Sequence, residues 1–67
     1  MEKVELFGER EAARRLGLSV ATLRRRRLFR LPPVWVKLGG RVLYRAADLD
    51  AFVEANVVRL PEPRRGR

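Results

Sequence analysis

Arginine is the residue with the most chemistry to offer in this chain. Fourteen of its 67 residues are arginine and two are lysine, and four arginines stand in a row at Arg24–Arg27. A guanidinium is a rigid fork of donors that matches a phosphate, a carboxylate or the O6/N7 edge of guanine. The hydroxyls of Ser19 and Thr22 precede the run, and Lys37, Arg41 and Arg45 follow it around a Gly39-Gly40 pair. Catalysis lacks its usual carriers. With no histidine and no cysteine there is no imidazole base, no thiol nucleophile and no zinc-finger ligand set. Asp48, Asp50 and Glu54 resemble at first sight an acid pair for Mg²⁺. They stand instead at a predicted helix start and at i,i+4 spacing, where capping and solubility account for them. Glu5, Glu9 and Glu11 are read the same way, so no catalytic residue, metal ligand or cofactor is expected.

The positive charge is concentrated as well as large. Residues 1–18 hold four acidic and four basic groups, whereas residues 19–45 hold eight basic groups and no acidic one. Residues 46–60 carry one basic and three acidic groups, and the last seven residues net +2, for a total of +8. Solubility, or arginine replacing lysine in a heat-adapted protein, would account for the sum but not for 27 consecutive residues without a carboxylate. A polyanionic partner accounts for both, with six to eight of these side chains on phosphate. A chain this short buries about 60% of its unfolded surface, enough for one small core and no active-site cavity beneath it. One domain over residues 1–60 is expected, followed by a disordered basic tail over 61–67. No apolar stretch approaches a membrane span, and Met1–Leu6 lacks the basic-then-apolar order of a signal peptide, so a cytoplasmic location is expected.

The elements that must position these side chains are legible from spacing. A first helix is predicted over Glu9–Leu16, with Gly8 as N-cap, Ala12, Ala13 and Leu16 as its apolar stripe, and Gly17 ending it at positive φ. Leu6 and Phe7 precede the cap, where one of them would staple onto the first turn. A second helix starts after Ser19, with Val20 and Leu23 inward. Two short helices joined by Gly17-Leu18-Ser19 have helix-turn-helix spacing. Pro32-Pro33 bars further helix, and Val34–Leu38 and Arg41–Arg45 then flank Gly39-Gly40 as a hairpin with a type I′ or II′ turn. A third helix is predicted from Asp48 to about Asn56 or Val58, burying Leu49, Phe52 and Val53. Trp35 and Tyr44 are read as anchors that pack the hairpin to a helix. The class is mostly α with a small β-hairpin: helix-turn-helix, two-stranded wing, third helix.

This order resembles the MerR-like winged helix-turn-helix superfamily, and within it the short phage and plasmid proteins that include excisionases and AlpA-like regulators. The resemblance rests on Glu11-Ala12-Ala13, the Leu16–Ser19 turn, Thr22-Leu23, the Val36–Arg41 wing, and Tyr44-Arg45 before Asp48–Phe52, and it covers roughly residues 5–55. Three departures stand out. Arg24–Arg27 replaces a more apolar mixture, Ala47 stands where a serine cap is usual, and the coiled coil and effector domain of full-length relatives have no counterpart. Ligand sensing and coiled-coil dimerisation are therefore not carried over, and a free monomer that becomes cooperative on adjacent sites is expected.

Under this reading the second helix enters the major groove of double-stranded DNA, with Ser19, Thr22, Arg24, Arg25 and Arg27 as its contacts and Arg25 pointing most clearly outward. The wing adds Lys37, Arg41 and Arg45 around Gly39 and Gly40, which lack side chains and can approach a sugar-phosphate strand closely. The resemblance implies an excisionase on repeated sites that steers an integrase. A compact regulator acting with RNA polymerase is the alternative, and a phage packaging component is a third job. From other classes, a basic RNA-binding protein and a pure protein-interaction module stay open.

Overall fold

The computed structural model describes residues 4–61. Within them the chain forms β1 (Leu6–Gly8), α1 (Glu9–Leu16), α2 (Val20–Leu28), β2 (Val36–Leu38), β3 (Arg41–Arg45) and α3 (Ala46–Ala55). The first helix has the predicted bounds. Gly17 closes it at φ 72, its N–H bonding Arg14 O at 3.2 Å while the N–H of Leu18 reaches Ala13 O at 2.9 Å. These paired bonds are the Schellman arrangement that satisfies the last carbonyls of a helix. The second helix ends the same way with Arg30 in glycine's usual place, at φ 60, and Leu31 N–H on Arg26 O at 2.8 Å.

The wing differs from the expected hairpin in two ways. Pro32 and Pro33 supply no N–H to a ladder, and strand pairing begins only at Val36, so Val34 and Trp35 stand outside β2. A third strand, β1, pairs antiparallel with the free edge of β3, in the sheet order β1-β3-β2. Leu6 and Phe7, expected as a helix staple, are strand residues instead, and Phe7 faces Tyr44 across the ladder. Gly39 carries positive φ at φ 54 and Gly40 does not, the pattern of a II′ turn.

This extra strand also moves the start of the third helix. It begins at Ala46, two residues before the expected Asp48, with Arg45 in the cap position and no side-chain cap. The N–H of Ala46 finds its acceptor in the carbonyl of Glu5, at 3.0 Å. The chain leading into β1 thus does the work of the serine cap, and Ala47 sits inside the helix rather than at its boundary. The helix ends at Ala55, where the amide of Asn56 donates to the Phe52 carbonyl at 2.8 Å.

The core lies where the three layers meet. Ala12 and Ala13 of α1, Leu23 of α2, Tyr44 of β3 and Leu49 of α3 are buried together, with Phe7, Leu16, Val20, Trp35 and Val42 packed around them. The small alanines let α2 cross α1 closely, and Trp35 and Tyr44 anchor the wing to this cluster. Of the third helix's expected stripe, Leu49 is buried and Phe52 half-buried, but Val53 is exposed. Three helices and a three-stranded antiparallel wing make a winged helix-turn-helix. The expected tail over 61–67 lies, from residue 62 on, outside the described residues.

Candidate nucleic-acid interface

Burial of Leu23 and partial burial of Val20 fix which side of α2 faces out. Residues on the far side, Ala21, Arg25 and Leu28, are exposed, and Arg24 flanks them. The Arg25 guanidinium is exposed and has no hydrogen-bond or ion-pair partner among the described residues. At the helix start the Ser19 hydroxyl accepts from the Thr22 N–H at 3.0 Å and donates to the Thr22 hydroxyl oxygen at 2.9 Å. The cap therefore fixes both hydroxyls at the leading end of the exposed face.

The other arginines of the run have internal partners. Arg24 donates from Nε and Nη2 to the two carboxylate oxygens of Glu9, at 3.2 and 2.5 Å. Arg27 lies deeper, with its side chain 18% exposed, and donates to Tyr44 Oη at 2.8 Å and to Glu9 Oε1 at 3.2 Å. The Glu9 carboxylate, at the first residue of α1, thus ties the recognition-helix candidate to α1, and Arg27 ties it to the central strand of the wing through Tyr44. Hydrogen bonding from Arg24 is the main cause that holds the Glu9 carboxyl below the usual carboxylate range; burial opposes it, and the charges of both arginines add to it. Arg26 donates to the Pro32 carbonyl, and its guanidinium lies 5.1 Å from the Phe52 ring centre, which fastens the proline loop and α3 to α2.

On the wing, Lys37 and Arg41 are exposed and unpaired among the described residues. Lys37 stands opposite Val42 and Arg41 opposite Leu38, so the two cations leave the hairpin on opposite faces. Arg45 is at the far end of β3 from the tip. Its guanidinium grips Asp48 at 2.5 and 3.0 Å, joining the strand to the first turn of α3.

The sequence-predicted residues therefore separate into groups. Arg24, Arg27, Arg41 and Gly40 line one open cleft of about 350 Å³ between α2 and the wing tip, together with Gly8, Glu9 and Val42. Arg25, Thr22 and Ser19 lie on the helix, Lys37 and Gly39 belong to the hairpin, and Arg45 stands apart beside α3. Sequence reasoning took Glu9 for an ordinary first-turn acid. No local spacing rule reveals its role, because its partners lie 15 and 18 residues away. Arg30, exposed at the Schellman turn, was likewise unassigned.

No helix among the described residues is long and apolar enough to cross a membrane. Residues 6–57 match the family model described as a helix-turn-helix domain. No curated protein and no solved structure matches the chain.

Proposed function

Because the chain belongs to the helix-turn-helix domain family, a family of DNA-binding domains, we propose that it binds double-stranded DNA in the cytoplasm without catalysis, α2 in the major groove and the wing on the adjacent minor groove. The observation that carries this reading is the cleft between α2 and the wing tip, lined by Arg24, Arg27 and Arg41, with Arg25 exposed on the helix and Lys37 exposed on the hairpin. Adjacent grooves of a duplex are separated by one sugar-phosphate strand, and a cationic cleft between a helix and a wing straddles such a strand.

Within this mode Arg25 reads bases, Ser19 and Thr22 meet the DNA at the leading end of α2, and Arg24, Lys37 and Arg41 hold phosphate. Gly39 and Gly40 let the wing approach the backbone. Arg27 and Arg45 support these contacts from beneath, through Tyr44 and Glu9 in one case and Asp48 in the other. The finer role is that of an excisionase, filling repeated sites cooperatively as a monomer and directing an integrase; the likeness in motif order supports it. A small regulator working with RNA polymerase would use the same surface.

Selection of duplexes from a random pool, followed by competition of the winner against structured RNA at fixed salt, tests the reading. A recurrent duplex motif that outcompetes RNA is expected. Equal or better binding to RNA would overturn it. Repeats in one orientation, with DNA bending and stimulation of excision by a cognate integrase, would support the excisionase role; a single promoter-borne site without bending would favour the regulator.

A further inference from the structure

Arg24 stands at the mouth of the cleft, 63% exposed, with its fork already occupied on both prongs by Glu9. A carboxylate that accepts from Nε and Nη2 together uses the geometry in which an arginine holds a phosphate. We infer that Glu9 is an internal phosphate surrogate: it occupies Arg24 in the free chain and yields that guanidinium to the DNA backbone strand entering the cleft, lowering affinity for duplex of every sequence. This rests on the DNA-binding mode proposed above.

Three features of the cleft support the exchange. Glu9 is held twice, by exposed Arg24 and by largely buried Arg27, which is itself fixed by Tyr44. When Arg24 turns outward, the carboxylate keeps Arg27 and is not left unpaired. Across the cleft, Arg41 has no partner among the described residues and attracts the phosphate that Arg24 would share. Finally, Glu9 faces the path of a polyanion, so an incoming strand must overcome its charge before gaining the arginine. A sequence-independent cost of this kind leaves base reading by Arg25 untouched. It lowers affinity for the preferred site and for bulk DNA by the same factor and leaves the ratio between them to Arg25.

Glu9→Gln tests the inference, since the amide oxygen still accepts from Arg27 while the charge is gone. Binding of scrambled duplex by this variant should tighten about three- to tenfold near 50 mM salt, with a log K against log[salt] slope close to that of the unaltered chain, because Arg24 reaches phosphate in both complexes. Arg24→Ala should then weaken binding more in the Glu9→Gln background than in the unaltered chain. Unchanged or weaker scrambled-duplex binding, at an unchanged melting temperature, would overturn the inference. If Glu9→Gln does not fold, the arginine Nε signals of the unaltered chain decide by NMR. On adding scrambled duplex the Arg24 signal should shift and that of Arg27 should stay; an unmoved Arg24 signal in a saturated complex would refute the exchange. Failure of the unaltered chain to bind any duplex would instead overturn the DNA-binding reading itself.

Discussion

Tyr44 shows how one side chain can serve both core and surface. Its ring is fully buried, yet its hydroxyl accepts from Arg27 and so fixes the underside of α2 to the wing. Tyr44→Phe should cost about 1–2 kcal/mol, because the largely buried guanidinium of Arg27 loses its hydroxyl acceptor. Leu23→Ala should cost more, about 2–4 kcal/mol, by opening a cavity where α1 and α2 cross. Thermal melts read both. Glu9 adds a pH signature. Its folded-state pKa lies below its unfolded value, so the fold favours the ionised form. That stabilisation is fully present above the unfolded pKa and is lost as pH falls through the folded one, below about pH 4 to 5. Glu11, held by Arg14 and Arg15, acts in the same direction. Melting temperature should therefore fall on acidification through this window, and Glu9→Gln should flatten part of the fall; a melting temperature independent of pH there would contradict the pairing. Arg25's outward direction was legible in the sequence, since it follows from Val20 and Leu23 and a period of 3.6. The inward turn of Arg27 was not, because it depends on Glu9 and Tyr44, which sequence distance hides.

Helix ends carry more of this fold's specification than helix interiors do. Both α1 and α2 stop in Schellman turns, one with Gly17 and the other with Arg30 at positive φ. A left-handed conformation costs a residue with a Cβ about 1–2 kcal/mol. Gly17→Ala should lose about that much, although a Cβ there would meet nothing within 4 Å. Arg30→Gly should gain about 0.5–1 kcal/mol once the extra backbone entropy of glycine is set against the relief. Denaturant melts on the two variants should therefore move in opposite directions. The first helix was legible to the residue because glycine brackets it on both sides. β1 was not: three residues cannot display alternation, and an apolar pair before a cap reads equally as a staple. The third helix was placed two residues late for a related reason, since its first N–H is satisfied by the Glu5 backbone, which no side-chain cap signal announces.

At the scale of the molecule, the charge asymmetry seen in the sequence is only partly available to a partner. Of the eight cations in residues 19–45, Arg24, Arg26, Arg27 and Arg45 have internal partners, while Arg25, Arg30, Lys37 and Arg41 have none among the described residues. With Arg25 on a base, three phosphate contacts from Arg30, Lys37 and Arg41 give a log K against log[salt] slope of about −2.7, and transfer of Arg24 to phosphate brings it to about −3.6. Six to eight contacts, the number suggested by composition alone, would give about −5 to −7. A salt titration on one duplex separates these values, and a slope shallower than about −2 would mean that the basic face does not hold DNA. The central claim is that α2 reads bases while the wing holds backbone. The direct measurement is binding of Arg25→Ala and Arg41→Ala to the preferred duplex and to its scrambled counterpart, with melts confirming the fold of each. Arg25→Ala should cost about 1–3 kcal/mol more on the preferred duplex than on the scramble, and Arg41→Ala should weaken both by similar factors. Equal losses on both duplexes for Arg25→Ala, at an unchanged melt, would contradict it.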